Sequence, residues 1–123
     1  MSAVQLLPGG GARYSSETFT TAGIGADEID CSFCSELAVQ QIITGTTAGG
    51  TFQLEERLST ANGWAQLGSA IAVGSNGALT KFNATQRPFG HIRIDTTNVT
   101  GLDANDTIKF TLQGGRVAGG SIF

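Results

Sequence analysis

Apolar and polar residues alternate along most of the chain, with the two-residue period of a β-strand that buries one face. The period is regular in residues 107–112, where Ile108, Phe110 and Leu112 would point inward and Gly114 would help to end the strand. The same pattern predicts further strands over residues 18–21, 28–33, 37–44, 51–58, 64–67, 71–73, 79–82 and 88–95. Turn residues separate these segments at spacings of about 8 to 12 residues, which is typical of an antiparallel sandwich or barrel.

The turns between these segments shape the predicted fold. Asn76-Gly77 is a strong hairpin signal, and residues 79–82 would be the strand that returns. The apolar run over 37–44 has the length of a short helix, but its β-branched end and the glycines that follow favour a strand. No helix pattern alternates with the strands. The sequence therefore predicts an all-β fold, an antiparallel β-sandwich of the jelly-roll or Ig-like kind, over residues 15–113.

One predicted strand is interrupted by charge. Phe52, Leu54 and Leu58 would share its buried face, and Glu56 breaks that face. We expect a β-bulge near Glu55, because an extra residue there would restore the alternation.

Both ends of the chain are predicted to be arms outside the sandwich. Residues 1–14 carry Leu-Leu-Pro followed by a run of glycines, and residues 114–123 end in Ile-Phe after a second run. Glycine-rich segments hold regular structure poorly, and a frayed terminus is the alternative. Large apolar tips on such hinges can extend a neighbour's sheet or fill its grooves. The predicted assembly residues are Leu6, Leu7, Ile122 and Phe123.

The composition narrows the classes of partner. Charged residues make up 14% of the chain, against about 25% in an average protein, so either neighbouring subunits or uncharged polar residues cover the sandwich. The net charge is −3 without a basic stripe, which argues against nucleic acid as a partner. No segment has the apolar length of a membrane span, and the N-terminus lacks the features of a secretory signal. We therefore expect no nucleic-acid or membrane partner, and folding in a cytoplasm unless a signal was removed.

The cysteines form the one motif with catalytic spacing, Cys31-Ser32-Phe33-Cys34. On the predicted strand, Ile29, Cys31 and Phe33 would share the inward face, and Cys34 would point to the other side. Redox C-x-x-C motifs normally begin a helix, and a zinc site would need further ligands in a chain that has a single histidine. Packing of two free thiols is favoured over a disulfide, a redox pair or a metal site.

His91 is the side chain suited to acid–base catalysis near neutral pH. It lies in the predicted strand 88–95, where Phe89 and Arg93 would share its face. No local nucleophile motif is present, so a half-buried, hydrogen-bonded strand histidine is favoured. We predict that the protein is not an enzyme and has no catalytic residue.

Two further features have both a functional and a structural interpretation. Trp64, the only tryptophan, would be a sugar-stacking platform if exposed, but a lone tryptophan between strand residues is more often a core anchor. Residues 103–107 place oxygen-bearing side chains at alternate positions, as calcium loops do, but they lack the glycine and distal glutamate of an EF-hand. A turn capped by Asx hydrogen bonds is favoured, and no cofactor or metal is predicted.

Four segments between Thr51 and Phe110 occur in an order that resembles small β-sandwich structural proteins of tailed bacteriophages. They are residues 51–56, 62–68, 89–94 and 107–110. In those proteins a Thr-Phe-x-(Leu/Val) strand precedes a (Asp/Asn)-Gly-x-Trp turn and strand, and an aromatic-x-x-(Ile/Val)-Arg-(Ile/Val) strand follows. Asn62 here replaces the usual aspartate of the turn. The same pattern is also similar to discoidin-like carbohydrate-binding sandwiches.

The resemblance implies a virion component without enzymatic activity, assembled in a host cytoplasm. It implies a capsid decoration or cement protein that binds the phage shell as an oligomer, possibly a trimer, with the major capsid protein or other virion proteins and further copies of itself as partners. A tail, fibre or head–tail junction subunit is one alternative. A discoidin-like carbohydrate-binding module that uses Trp64 is another.

Overall fold

The structure is a computed structural model that describes residues 3–5, 14–45, 47–74, 76–84, 87–102 and 105–115. Over these residues the chain contains strands and no helix, which confirms the all-β prediction. The strands are β1 (Ala3–Gln5), β2 (Tyr14–Phe19), β3 (Glu28–Asp30), β4 (Glu36–Thr44), β5 (Gly49–Arg57), β6 (Ala65–Ala72), β7 (Leu79–Asn83), β8 (His91–Asp95), β9 (Val99–Thr100) and β10 (Thr107–Gly115).

The strands form two sheets that pack as a sandwich. The six-stranded sheet has the order β1-β3-β8-β5-β6, with β9 also paired to β5, and the four-stranded sheet has the order β2-β10-β4-β7. All pairs are antiparallel except β1 with β3, which is parallel. The predicted antiparallel β-sandwich is therefore confirmed, with one parallel pair at an edge.

Apolar residues of the two sheets meet in one core. The rings of Phe52 in β5 and Phe110 in β10 lie 4.4 Å apart between centroids, so the two inner faces are in direct contact. The alternation in β10 is as predicted, because Ile108, Phe110 and Leu112 are all fully buried. β10 nevertheless continues through Gly115, which pairs with Glu36 of β4 instead of ending the strand.

The chain leaves the six-stranded sheet earlier than predicted, after Asp30. Residues 31–34 form a turn in which Cys34 N–H donates to the Cys31 carbonyl at 2.9 Å. The turn carries Phe33 outward, and its side chain is 50% exposed, so its predicted inward position was wrong. The alternation of apolar and polar residues continues past Asp30, so it could not reveal that the strand ends there in a turn.

The predicted hairpin at Asn76-Gly77 is also wrong, because β6 and β7 belong to different sheets. The segment between them crosses the open side of the sandwich and is held by the buried Gln41 of β4. Its Nε2 donates to the Ala72 carbonyl at 3.0 Å, and its backbone carbonyl accepts from Gly77 N–H at 2.7 Å. Asn76 and Gly77 therefore lie in a connection that crosses from one sheet to the other, and not in a two-residue turn between paired strands.

The bulge predicted in β5 near Glu55 was wrong, because β5 pairs with β8 without a break from Gln53 to Arg57. A bulge is present instead in the neighbouring strand β6. The β5–β6 register shifts between Phe52 and Leu54, which pair with Ile71 and Leu67, so the extra residues are in β6 around Gly68. β5 itself keeps its alternation through Arg57, and Leu58 lies beyond its end with 61% exposure instead of in the core.

The four predicted assembly residues lie outside the described residues, as do the predicted arms except for Ala3–Gln5 and the ends of β2 and β10. Ala3–Gln5 forms β1, which pairs with Glu28–Asp30 of β3. This part of the predicted N-terminal arm therefore forms an edge strand of the six-stranded sheet.

Candidate interaction surface

The outward side of the six-stranded sheet carries a network of charged and aromatic side chains. Inward-facing Ile92 and Ile94 of β8 are buried, so the alternate residues His91, Arg93 and Asp95 point outward. We call this surface the Trp64 face. It comprises Glu28, Glu55, Arg57, Trp64, His91 and Arg93.

Strand register brings opposite charges together on this face. Glu55 of β5 lies beside Arg93 of β8, and Arg57 lies beside His91. The prediction that Phe89 shares this face with His91 and Arg93 was wrong, because β8 begins only at His91 and Phe89 packs into the core.

The carboxylate of Glu28 lies at the centre of one half of the network. It pairs with the Arg57 guanidinium, and its Oε2 lies 2.9 Å from His91 Nδ1. Arg57 also donates through Nη1 to the backbone carbonyls of Thr60 and Asn62, at 3.2 and 3.3 Å. These bonds tie the loop after β5 to β3, and His91 is half-buried as predicted.

Arg93 and Glu55 form the other half. Arg93 Nε donates to Glu55 Oε1 at 2.6 Å, and Gln53 Nε2 donates to the second oxygen of Glu55 at 2.7 Å. Burial disfavours the charged form of the neighbouring Asp95, but hydrogen bonds from Thr97 and the charge of Arg93 outweigh it and lower the pKa of Asp95.

Trp64 stands on this network and not in the core, so its prediction as a core anchor was wrong. The guanidinium carbons of Arg57 and Arg93 each lie 4.5 Å from the centroid of its ring system. Cation–π contacts of this kind are worth about 0.5 to 2 kcal/mol each. The half-buried indole is thus held in a defined position on the outside of the sheet.

A shallow cleft of about 260 Å³ lies between the loop after β5 and Arg87, and Asn62, Gly63 and Ala65 are among its lining residues. Arg87 grips Glu56 with two bonds of 3.0 Å, and Gly90 N–H donates to the same carboxylate at 2.8 Å. Burial opposes ionisation of Glu56, but these bonds prevail and lower its pKa. Glu56 thus fixes one wall of the cleft as an anion.

The two cysteines lie on the other side of the sheet, away from this network. Neither is in a disulfide, and both are fully buried in the core, which confirms the packing prediction. The prediction that Cys34 points to the other side of the sheet was wrong, because the turn over residues 31–34 returns it to the core. Burial raises the pKa of Cys34 to about 11 and that of Cys31 further. At neutral pH the thiols are therefore protonated, a state in which they are poor nucleophiles and poor metal ligands.

The acidic loop predicted as a turn or calcium site is described only from Asn105 onward. Asp106 is buried, and its carboxylate accepts a hydrogen bond from the Thr47 hydroxyl. It therefore ties the loop before β5 to the start of β10, as a turn-capping side chain does.

The outward side of the four-stranded sheet has a different character. We call it the Lys109 face, with Glu36, Ile42, Leu79, Lys81 and Lys109. Ile42 is 38% exposed and Leu79 is 55% exposed. Lys109 pairs with Ile42, and Lys81 lies two residues beyond Leu79 on the same side of β7. This face combines apolar side chains with positive charge.

Sequence reasoning identified His91 and Trp64 but missed their partners Glu28, Glu55, Arg57 and Arg93. A usable signal was present in the alternate charged positions of residues 53–57 and 91–95. Only the register of β5 against β8 shows that these charges are opposite one another.

No family model and no curated protein matches this chain. Among solved structures, the SPBc2 prophage-derived protein YomS is similar over 80% of this chain and 93% of its own, with a TM-score of 0.48 and 16% sequence identity. A similarity at that level supports no conclusion about this chain's function. In the described part of the chain, no helix is long and apolar enough to cross a membrane.

Proposed function

We propose that this protein is a non-enzymatic structural component of a bacteriophage virion, a capsid decoration or cement protein that binds the shell as an oligomer. Its partners are the major capsid protein or another virion protein, together with further copies of itself. The sequence resemblance supports the location of the protein in a virion. The outer faces of the sandwich support its binding to other proteins.

The position of Trp64 carries the proposal. Tryptophan and arginine are the residues most enriched at the energetic centres of protein interfaces. Here the indole lies outside the core, and two arginines, each paired with a glutamate, hold it in place. A side chain already fixed in one position loses little conformational entropy on binding, which favours recognition of a partner.

The chemistry of the same face supports binding over catalysis. His91 and Glu28 form a hydrogen-bonded pair, which a general base would need. Arg57 shares the Glu28 carboxylate, so this carboxylate acts as the centre of an ion-pair network. Both thiols face the core, where burial keeps them protonated.

The proposal also includes the apolar residues near both termini, which the sequence predicts to make assembly contacts. Leu6, Leu7, Ile122 and Phe123 would dock on neighbouring subunits or on the shell. Replacing each pair by alanine should weaken shell binding without changing the melting temperature of the free protein, because the proposed contacts form only on assembly.

The main test uses shells assembled from the major capsid protein of the phage whose genome encodes the chain. Wild-type protein should co-sediment with these shells, and Trp64→Ala should raise the apparent Kd at least tenfold, since interface tryptophans commonly contribute more than 2 kcal/mol. Circular dichroism would establish that the variant is folded.

Phe33→Ala is the matched control, because Phe33 is an aromatic side chain that is 50% exposed and lies in the turn after β3, outside the set of residues that forms the Trp64 face. It should leave shell binding unchanged. A wild-type protein that fails to bind shells and remains monomeric would refute the proposed function.

A carbohydrate-binding module is the second candidate, favoured by the half-buried indole that Arg57 and Arg93 hold on the outside of the sheet. Glycan arrays followed by titration of Trp64 fluorescence would test it. A saturable change that is lost in Asn62→Ala, on the cleft wall, would support this candidate, and such a result for a host surface glycan would favour a tail or fibre location.

A further inference from the structure

Three of the four edge strands, β2, β6 and β7, carry features that oppose strand-to-strand association. Glu17 places a charged group on the inward side of the edge strand β2, alongside Phe19. β6 is bulged around Gly68, and the short edge strand β7 carries Lys81. Inward charges, bulges and edge lysines are devices that prevent open edges from pairing with another chain. Association is therefore expected to avoid these three edges, and the outward faces are among the surfaces that remain.

The two faces differ in the sign of their charge. On the outward side of the six-stranded sheet, the carboxylates outnumber the guanidiniums: Glu28, Asp30, Glu55 and Asp95 stand against Arg57 and Arg93. On the Lys109 face, Lys81 and Lys109 outnumber the one carboxylate, Glu36. Within the described residues the sandwich thus has an acidic side and a basic side.

We propose that the Lys109 face of one copy docks on the Trp64 face of a second copy, in a head-to-tail contact. This inference rests on the proposed assembly function and identifies the self-interaction within it. Lys81 and Lys109 would approach the carboxylate-rich side of the neighbour. Leu79 and Ile42 supply exposed apolar surface, and the positioned indole of Trp64 is its counterpart.

Charge selects this arrangement over pairing of like faces. A twofold contact between two Lys109 faces would set lysines against lysines, and one between two Trp64 faces would oppose carboxylates. Only the mixed contact brings opposite signs together. Like charges that face each other across an interface are costly, so both contacts between like faces are disfavoured.

A head-to-tail contact uses two different patches on each copy, so every copy can bind a neighbour on either side. Such a contact produces a closed ring when the rotation between neighbours closes, and a filament when it does not. In such an oligomer the Trp64 face is covered by a second copy. Trp64→Ala would then weaken shell binding because it weakens the oligomer that binds the shell.

The test blocks each face separately and then mixes the two variants. Lys81→Glu with Lys109→Glu reverses the basic face, and Gln53→Lys with Gln66→Lys adds positive charge to the Trp64 face. Light scattering at low salt should show wild-type oligomers and at least a tenfold weaker association for each variant alone. The equimolar mixture should associate again, because each variant supplies the intact face that the other lacks.

Thr21→Glu with Ala22→Glu, in an exposed segment between β2 and β3, is the control for added negative charge and should assemble like wild type. A mixture that stays as weakly associated as its components would overturn the head-to-tail contact, and so would full assembly of either blocked variant alone. If wild-type oligomers or shell binding persist in those cases, the proposed function stands while this inference fails. If wild-type protein is monomeric but still binds shells, the head-to-tail contact is refuted, and binding to the shell remains supported.

Discussion

At the residue scale, two glutamates show how differently this sandwich treats a buried carboxylate. Glu28 is satisfied by Arg57 and His91 from two other strands. Glu17 has one oxygen bonded to Ala26 N–H at 2.6 Å, while its Oε1 is buried without a hydrogen-bond partner. The first carboxylate is expected to stabilise the fold as an anion, and the second to oppose it.

We predict that Glu28→Gln destabilises the protein by about 2 kcal/mol, because the amide leaves Arg57 and His91 without a charged partner in a partly buried site. Urea unfolding followed by circular dichroism would measure this loss. Glu36→Gln, the same substitution at a half-exposed position of the Lys109 face, should change stability by less than about 0.5 kcal/mol. Equal effects of the two substitutions would contradict the role given to the Glu28 network.

Glu17 leads to a prediction about pH. Burial, with a smaller contribution from Asp27, outweighs the Ala26 hydrogen bond and raises the pKa of Glu17. The unfolded chain therefore loses this proton first as the pH rises above about 4, and stability falls until the pH has passed the raised pKa of the folded state.

Glu17→Gln removes that loss. The melting temperature of the variant minus that of wild type should therefore increase from pH 4 to pH 7. Thr18→Gln, at an exposed position of the same strand, changes no titratable group and serves as the reference, so its difference from wild type should stay nearly constant. A constant offset for Glu17→Gln over this range would show that Glu17 titrates alike in both states.

At the element scale, β6 is the strand whose shape depends most on one residue. Gly68 adopts a φ of +69° at the bulge, and a Cβ there would lie 2.9 Å from Cε2 of Phe82. The left-handed backbone bends β6, and Phe82 of β7 covers the gap from the other sheet. The bulge therefore protects an edge and at the same time closes the open side of the sandwich.

Gly68→Ala should cost about 2 kcal/mol, because an L side chain is strained at this φ and also crowds Phe82. Differential scanning calorimetry would give the change. Gly63→Ala is the matched control, since a Cβ at Gly63 meets no atom within 4 Å. A similar melting temperature for both variants would show that the bulge relaxes without cost.

At the scale of the whole molecule, strands that are neighbours in the sheets are often distant in sequence. β2 pairs with β10 near the other end of the chain, and the consecutive strands β6 and β7 lie in different sheets. Closing such long loops before their contacts form makes folding slow.

We therefore predict refolding in milliseconds to seconds, as for other β-sandwiches. Trp64 is a natural probe, because its contacts with Arg57 and Arg93 require β5 and β8 to be paired. Stopped-flow fluorescence would record the phase, and Trp64→Phe provides the baseline. Completion within microseconds would mean that the indole reports only local structure.

The sequence by itself determined the fold class, because side-chain alternation and turn residues are local properties that a strand must satisfy wherever it lies. It also determined the inward residues of β10, the half-buried state of His91 and the inward position of Cys31. Each of these follows from the period of a single strand or from the character of one side chain.

Only the tertiary structure decided which strands are neighbours, and the functional surface depends on that. The Asn76-Gly77 segment looks like a hairpin locally, but the contacts of the distant Gln41 make it a crossover. Trp64 looks like a core residue locally, but register between strands places two arginines against it on the outside. Sheet pairing joins residues far apart in the chain, and local periodicity carries no information about which of them will meet.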